Sequence, residues 1–594
     1  MTALVGMPAS PAAHAAVAPT AAVAPGAPTF EHLQPIGVSD LAALGRARTA
    51  SARVAGQAVG PETAGEEADH GAARAAVGAL AVPDPAPTAV TTATPQAQGF
   101  DGLDVADERN ADQGDQVTFE APDQGLCAKN GVVLEMVNRA ALAVYSDVGT
   151  VLVPPVAMNA FFGLPPIIDR QVNPPTFGPV MTDPQCYYDS QVERWFLTIA
   201  DVAANPTTGE FEQDTAIAVA VSQTSDPTST WALYRLDTTN DGRAGTPAHP
   251  DCPCVGDQPV VGADANGFYI STNEFSLDPS APIHDAQVYA VSKRLLAAAA
   301  MIGTQPPTVA HIDAGHVAGL PAFSVHPATT PPGGAFAENT EYFLSTIPGY
   351  IAARPRSSDD RLVVWALKHT ERLVTPQPAV LLTRTPIGSE PYVLPPNVEQ
   401  RPGSHPLGES VGEPLNALRS GDTRMQQVQF TSGRLFGAVN TAVAGGRVGI
   451  AWFIVQPQPE PGGVSGQVDR QGYVAVERDS LIYPAVGVTA SGQGVIAMGL
   501  AGPDSYPSAT YVDIDLTGVH GKVREIAVGT GPEDGLFCYQ AFIGPSAQYG
   551  CPWGDYSGAV AENATTIITG VEYIPPRPRA QYADWGTFIS RVHA

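Results

Sequence analysis

From Phe119 onward the chain is written in short apolar runs with period-two alternation, broken by Gly, Pro, Asn and Asp. That pattern predicts short strands joined by tight turns, and no long 3.6-residue period competes with it. Laid over one another, the strands repeat. Six stretches carry an apolar strand, a small polar turn and a second apolar strand: Asp123 to Asn138, Asp183 to Ile199, Asp257 to Asn273, Asp422 to Asn440, Leu481 to Met498, and Asp555 to Glu572. A weaker copy begins at Ala322-Phe323-Ser324-Val325, carries a Pro/Gly insertion, and ends at Tyr342-Phe343-Leu344-Ser345.

Copies recur at intervals of roughly 60 to 90 residues, room for about four strands each, which is the signature of propeller blades. Outer strands fall between them, among them Ile217 to Ser222, Gln287 to Ser292, Leu362 to Leu367 and Val448 to Ile454. The expected fold is therefore all-β, a β-propeller of seven blades with six as the alternative. Gly586 to Val592 is the only clear strand after the last copy, and Gln116 to Glu120 is the strand expected to complete that blade, so that no edge is left unpaired.

Composition divides the chain in two. Residues 16–98 are rich in Ala, Pro, Thr and Gly with almost no aromatics, which predicts a disordered leader. A few helical turns are expected around Ser39 to Ala79. The expected domains are thus 1–98, a signal-like remnant and leader, and 99–594, a single propeller. Met1 to Ala15 ends in Ala13-His14-Ala15, a small-x-small pattern suited to signal-peptidase cleavage, though a basic start is missing. No apolar run is long enough to span a membrane.

The balance of 59 Asp plus Glu against 31 Lys plus Arg gives a formal charge of -28. Such a surface repels phosphate backbones and anionic lipid, which argues against nucleic-acid and membrane-surface roles and leaves glycans, peptides and cations. The cysteines, Cys127, Cys186, Cys252, Cys254, Cys538 and Cys551, are even in number and better suited to disulfides in an oxidising compartment than to zinc. Cys252-Pro253-Cys254 is too tight for an ordinary zinc knuckle. Cys127 and Cys186 share a register in adjacent inner strands, and Cys538 with Cys551 could close one loop; Cys252 or Cys254 could instead meet either of the latter. The expected setting is secreted or cell-envelope, as a monomer.

In a propeller the start of each innermost strand and the end of the next lie on one face. The leading position here carries Asp123, Asp183, Asp257, Asp422 and Asp555, and the trailing position Asn138, Asp201, Asn273, Asn440 and Glu572, with Arg424 beside them. These are the candidate binding residues of an axial mouth. Each Asp alone reads as a turn cap, but a crowd of carboxylates costs Coulomb energy unless a cation or protonation relieves it. A Ca²⁺ ion among the five Asp residues is one expectation, and a glycosidase acid pair is another. No G-x-S-x-G, H-E-x-x-H, P-loop or Rossmann pattern is present. Asp237 to Gly242 lacks the spacing of a calcium loop, and His311 with His316 is too little for a metal site.

Thr224-Ser225-Asp226-Pro227-Thr228-Ser229-Thr230-Trp231 resembles an Asp-box, the S/T-x-D-x-G-x-T-W turn of sialidase-like propellers, with Thr228 where Gly is usual. The chain from Phe119 to Ala594 is similar to exported bacterial propellers of that type. The resemblance implies a propeller fold and, by extension, a carbohydrate-active enzyme, hydrolase or lyase. The arginine clamp and Tyr/Glu pair that a sialidase needs cannot be placed, so a binding propeller is the first expectation and the enzyme the alternative.

Overall fold

A computed structural model describes residues 27–50, 80–92, 98–117, 122–138, 141–278, 281, 283–349, 357–577 and 582–594. It is a seven-bladed β-propeller. Blade 1 runs from Gly125–Lys129 to Val151–Ala157, blade 2 from Val180–Asp189 to Thr230–Asp237, and blade 3 from Cys254–Ala263 to Thr308–Asp313. Blade 4 runs from His326–Pro327 to Leu381–Val393, blade 5 from Gln429–Thr431 to Gly463–Val474, and blade 6 from Ser480–Val488 to Gly518–Ala527. Blade 7 holds Gly558–Ala561, Thr566–Tyr573 and Gly586–His593.

Within each blade the strands pair antiparallel in chain order. The first strands pack against one another around the axis, and parallel bridges tie Ala263 to Thr329 and Thr329 to Gln429. A second strand is sandwiched by neighbouring blades on both faces, so its sequence is a continuous apolar run; every residue of Gly494–Ala501 is buried. An outermost strand such as Gly463–Val474 keeps polar residues on its open face. Seven apolar cores result, each shared by two adjacent blades, and the last, with Leu126, Val133, Ile568 and Trp585, joins blade 7 to blade 1.

Closure uses a different strand from the one expected. Gln98–Asp104 pairs antiparallel with Gly586–His593, setting Phe100 opposite Ile589. Gln116 and Val117 lie in no strand, and residues 118–120 fall outside the described residues. Glu135 of blade 1 clasps the junction: it accepts the Leu103 N–H at 2.9 Å and the Gln124 amide, and meets the Thr587 hydroxyl of blade 7. Burial pushes its carboxyl up to about 7 against those hydrogen bonds. An acid whose folded pKa is raised contributes stability below its unfolded pKa and loses it as pH rises through the folded one. Between about pH 4.5 and 7 this group therefore lowers stability by on the order of 3 kcal/mol. Urea titrations across that range are expected to show the slope in the native chain and a flatter one in Glu135→Gln, which never ionises.

Much of the stretch read as a disordered leader is also structured. Thr29–His32 adds a fifth strand to blade 3, and Gln34–Asp40 adds one to blade 2. Val90–Thr92 runs parallel to the outer strand of blade 6. Open outer edges recruit these segments because their unpaired N–H and C=O groups favour strand addition. Leu33 is buried among Tyr234, Leu236 and Tyr289, and Glu31 pairs with buried His311. The helix Leu41–Ala50 lies within the stretch where helical turns were expected to begin. The signal-like residues 1–15, and residues 51–79, lie outside the described residues.

All six cysteines are bridged: Cys127–Cys186, Cys252–Cys254 and Cys538–Cys551. The first ties the inner strands of blades 1 and 2, and the third closes the loop feeding blade 7. At the turn Thr224 to Trp231, Asp226 accepts the Thr228 N–H at 2.9 Å, while buried Trp231 donates to the Pro227 carbonyl at 2.9 Å. Among the described residues no helix is long and apolar enough to cross a membrane.

Candidate functional site

Near the mouth end of the innermost strands the backbone repeatedly kinks. Asp123, Asp183, Gln258, Ser324 and Tyr483 all take positive φ, between 35° and 57°, although none is glycine. Register shifts follow in blades 2, 3 and 6, between Thr182 and Gln185, Asp257 and Val260, and Ile482 and Ala485. A bulge of this kind bends the strand and re-aims its side chains.

Three trailing asparagines hold these kinks. The Asn138 side-chain oxygen accepts the Asp183 N–H at 2.6 Å, Asn273 accepts the Ser324 N–H at 2.7 Å, and Asn440 accepts the Tyr483 N–H at 2.7 Å. Each therefore locks the second strand of one blade to the start of the next blade. The side-chain oxygens of all three are spent on the scaffold. Asn440→Ala is expected to cost about 1–3 kcal/mol, the penalty for orphaning a buried donor, measured as a lowered unfolding midpoint.

Asp201 does not join the mouth. It lies opposite Met181, with its carboxylate 3.6 Å from Arg235 of the outer strand; burial, opposed by Arg235, pushes it up to about 6. Glu572 does lie beside the mouth, accepting the Gly554 N–H at 2.7 Å and raising the Asp123 carboxyl by its charge.

The five leading aspartates converge with Arg424. Asp422 is fully buried and grips the Arg424 guanidinium with both oxygens, at 2.8 to 3.0 Å. The other guanidinium nitrogen donates to the Gln258 side chain at 2.9 Å and lies 3.7 Å from Asp555. Asp123 accepts the Asp555 N–H and the Asn138 amide, while the Tyr556 hydroxyl donates to Asp183 at 3.3 Å. Asp183 and Asp257 lie close enough for the charge of Asp257 to raise the Asp183 carboxyl. Burial raises Asp183, and the charges of Asp257, Asp123 and Asp555 raise it further. Asp123 is raised by burial and by Asp555. Burial takes Asp257 up to about 6, with Arg424 pulling the other way.

The expected Coulomb cost of crowded acids is thus relieved by an internal cation and by protonation. What remains open to solvent is the rim, formed by Asp555, Asp257 and the edge of Arg424. Behind it lies an axial cavity of about 80 Å³, rich in glutamine, including Gln124, Gln185, Gln426 and Gln427. Gln258 and Tyr556, absent from the sequence reading, follow the leading aspartates directly (Asp257-Gln258, Asp555-Tyr556), and that adjacency was the available signal.

No family model matches the chain, and no curated protein matches it. Solved structures similar to it include a protein of unknown function from Dyadobacter fermentans, at 11% identity over 70% of this chain and 95% of that one, TM-score 0.30. A family 117 glycoside hydrolase from Zobellia galactanivorans is 10% identical over 70% of this chain and 84% of that one, TM-score 0.27. An exo-β-1,3-galactanase from Clostridium thermocellum is 8% identical over 71% of this chain and 85% of that one, TM-score 0.27. At these scores the likeness carries no functional argument, and the reading that follows rests on the mouth itself.

Proposed function

We propose that the axial mouth binds a neutral, hydroxyl-rich ligand, a glycan, and that the chain is an exported propeller that presents it. The observation that carries this reading is the run of charges Asp422, Arg424 and Asp555, with Asp183 and Asp257 beside it. A protonated carboxyl and a guanidinium donate, ionised carboxylates and Gln258 accept, and alternating donors and acceptors suit sugar hydroxyls, each of which both donates and accepts. A Ca²⁺ ion among the same aspartates is the weaker proposal, because Arg424 already supplies positive charge between Asp422 and Asp555. Three bridged cysteine pairs support an oxidising, extracellular setting. The Asp226 turn, capped as an Asp-box would be, supports a sialidase-like propeller.

One observation favours a second reading, hydrolysis. Carboxyls whose environments separate their proton affinities are what an acid/base pair on a glycosidic bond requires, and Asp257, pushed up to about 6, sits within the charge of Asp555. A glycan array and a panel of chromogenic glycosides, each with and without chelator, separate these possibilities. The binding reading expects array signal that survives chelation and no glycoside turnover. Turnover lost in Asp257→Asn would establish the enzyme instead, and signal abolished by chelator would restore the cation.

A further inference from the structure

The Cys252–Cys254 bridge spans a single intervening residue, whereas Cys127–Cys186 spans 59 positions. Closing so short a loop removes little freedom from the unfolded chain, so this bridge does little as a staple. It is also the accessible one: Cys252 is half-buried, while Cys127, Cys186, Cys254, Cys538 and Cys551 are buried. Disulfides exposed to attacking thiolates are the labile ones.

Its surroundings are those of a ligand set. Both sulfurs and a carboxylate oxygen of buried Glu274 lie within 4.8 Å of one another. His249 Nδ1 stands 2.9 Å from the Glu274 carboxylate. The scaffold holds these groups in place: the Cys254 N–H donates to the Thr239 carbonyl at 2.8 Å, and the Cys254 carbonyl accepts the Thr215 hydroxyl at 2.6 Å. Glu274 is oriented by the Asn240 amide at 2.5 Å and the Gln287 amide at 3.3 Å, the outer support that metal-binding carboxylates need. Neither the mouth nor the propeller closure uses any of these residues.

The geometry points to a redox-gated zinc site at the edge of blade 3, closed while Cys252 and Cys254 are bridged and formed by Cys252, Cys254, Glu274 and His249 when they are reduced. A dithiol reductant supplies two electrons and two protons, breaking the S–S bond to give two thiols and its own disulfide. Zn²⁺ then binds as both thiol protons leave to solvent, with neutral His249 and ionised Glu274 completing four ligands. Opening the bridge frees the sulfurs to part to about 3.8 Å, the separation set by tetrahedral geometry and a Zn–S length of about 2.3 Å. Two thiolates and an imidazole favour zinc over Ca²⁺ or Mg²⁺. A C-x-C pair is too short to make a zinc knuckle alone; the remaining ligands come from the neighbouring strand and from the loop before blade 3.

The test uses the full chain, treated with dithiothreitol under native conditions and desalted without oxygen. Alkylation followed by peptide mass mapping is expected to label Cys252 and Cys254 before the other four cysteines. The reduced chain, given zinc and desalted again, is expected to keep about one ion per chain, and cobalt in its place should show a thiolate charge-transfer band. The Cys252→Ser/Cys254→Ser variant should lose both signals. Glu274→Gln and His249→Ala, two independent variants, should each weaken zinc about tenfold or more. If the reduced native chain holds no more zinc than the double serine variant, if cobalt shows no thiolate band, or if other bridges open first, the proposal is wrong.

Discussion

Replacing Lys293 by methionine is expected to lower the unfolding free energy by about 3–5 kcal/mol, the cost of breaking a buried ion pair from one side. Its ammonium donates to Asp189 at 2.6 Å, and the two side chains are 1% and 0% exposed. Asp189 ends the inner strand of blade 2, and Lys293 opens the helix Lys293–Ile302 that follows the third strand of blade 3, so the pair joins two blades. A lysine in the first turn of a helix is at the wrong end of the helix dipole. Its position is explained by Asp189, which also accepts the Gln191 and Val192 N–H groups. Methionine keeps the aliphatic stem but leaves a carboxylate without its cation. The double variant Lys293→Met/Asp189→Asn should recover part of the loss. Urea unfolding of the three variants measures the coupling, and additive losses would show that the pair is not a unit.

Arg424→Met carries the second large effect. Asp422 would lose the guanidinium that grips both its oxygens, at an expected cost of about 3 kcal/mol. The same change removes the charge that lowers Asp183 and Asp257, so both carboxyls should titrate higher than in the native chain. Carbon-13 carboxyl NMR across pH 4–8 reads that shift directly. Arg424→Lys should fall between, because an ammonium keeps the charge but cannot match the two-toothed geometry. Unchanged titration in Arg424→Met would remove the guanidinium from the account of the mouth.

The blades were legible in sequence where a strand is buried on both faces, since such a strand must be apolar throughout, as Val495-Ile496-Ala497-Met498 is. Strands added at outer edges leave a weaker mark. Gln34–Asp40 buries only Ser39 fully, and Val90–Thr92 buries no residue fully, so the Ala/Pro-rich composition around them dominated. The closing strand Gln98–Asp104 carries two glycines, Gly99 and Gly102, which weaken a strand pattern. Gly102 is required there: a Cβ would come within 2.5 Å of both Glu135 and Thr587.

At the mouth, the repeated leading aspartate was visible as a register, and the structure does gather those five residues with Arg424. The trailing set was not equally legible. The kinks at Asp183, Ser324 and Tyr483 fall on residues with no glycine signature, so nothing in the sequence marked Asn138, Asn273 and Asn440 as their partners. Asp201 was misplaced for a related reason, because pairing in blade 2 shifts after Thr182 and a slip of register re-aims side chains.

The most direct test of the axial mouth is the affinity of the strongest array glycan for Asp257→Asn and Asp555→Asn, beside unfolding midpoints for the same proteins. Both substitutions keep side-chain shape and lie on the rim. A mouth that reads sugar hydroxyls predicts at least about a tenfold loss for each, roughly 1.4 kcal/mol, with little change in midpoint. Affinities equal to the native chain in both variants would contradict it.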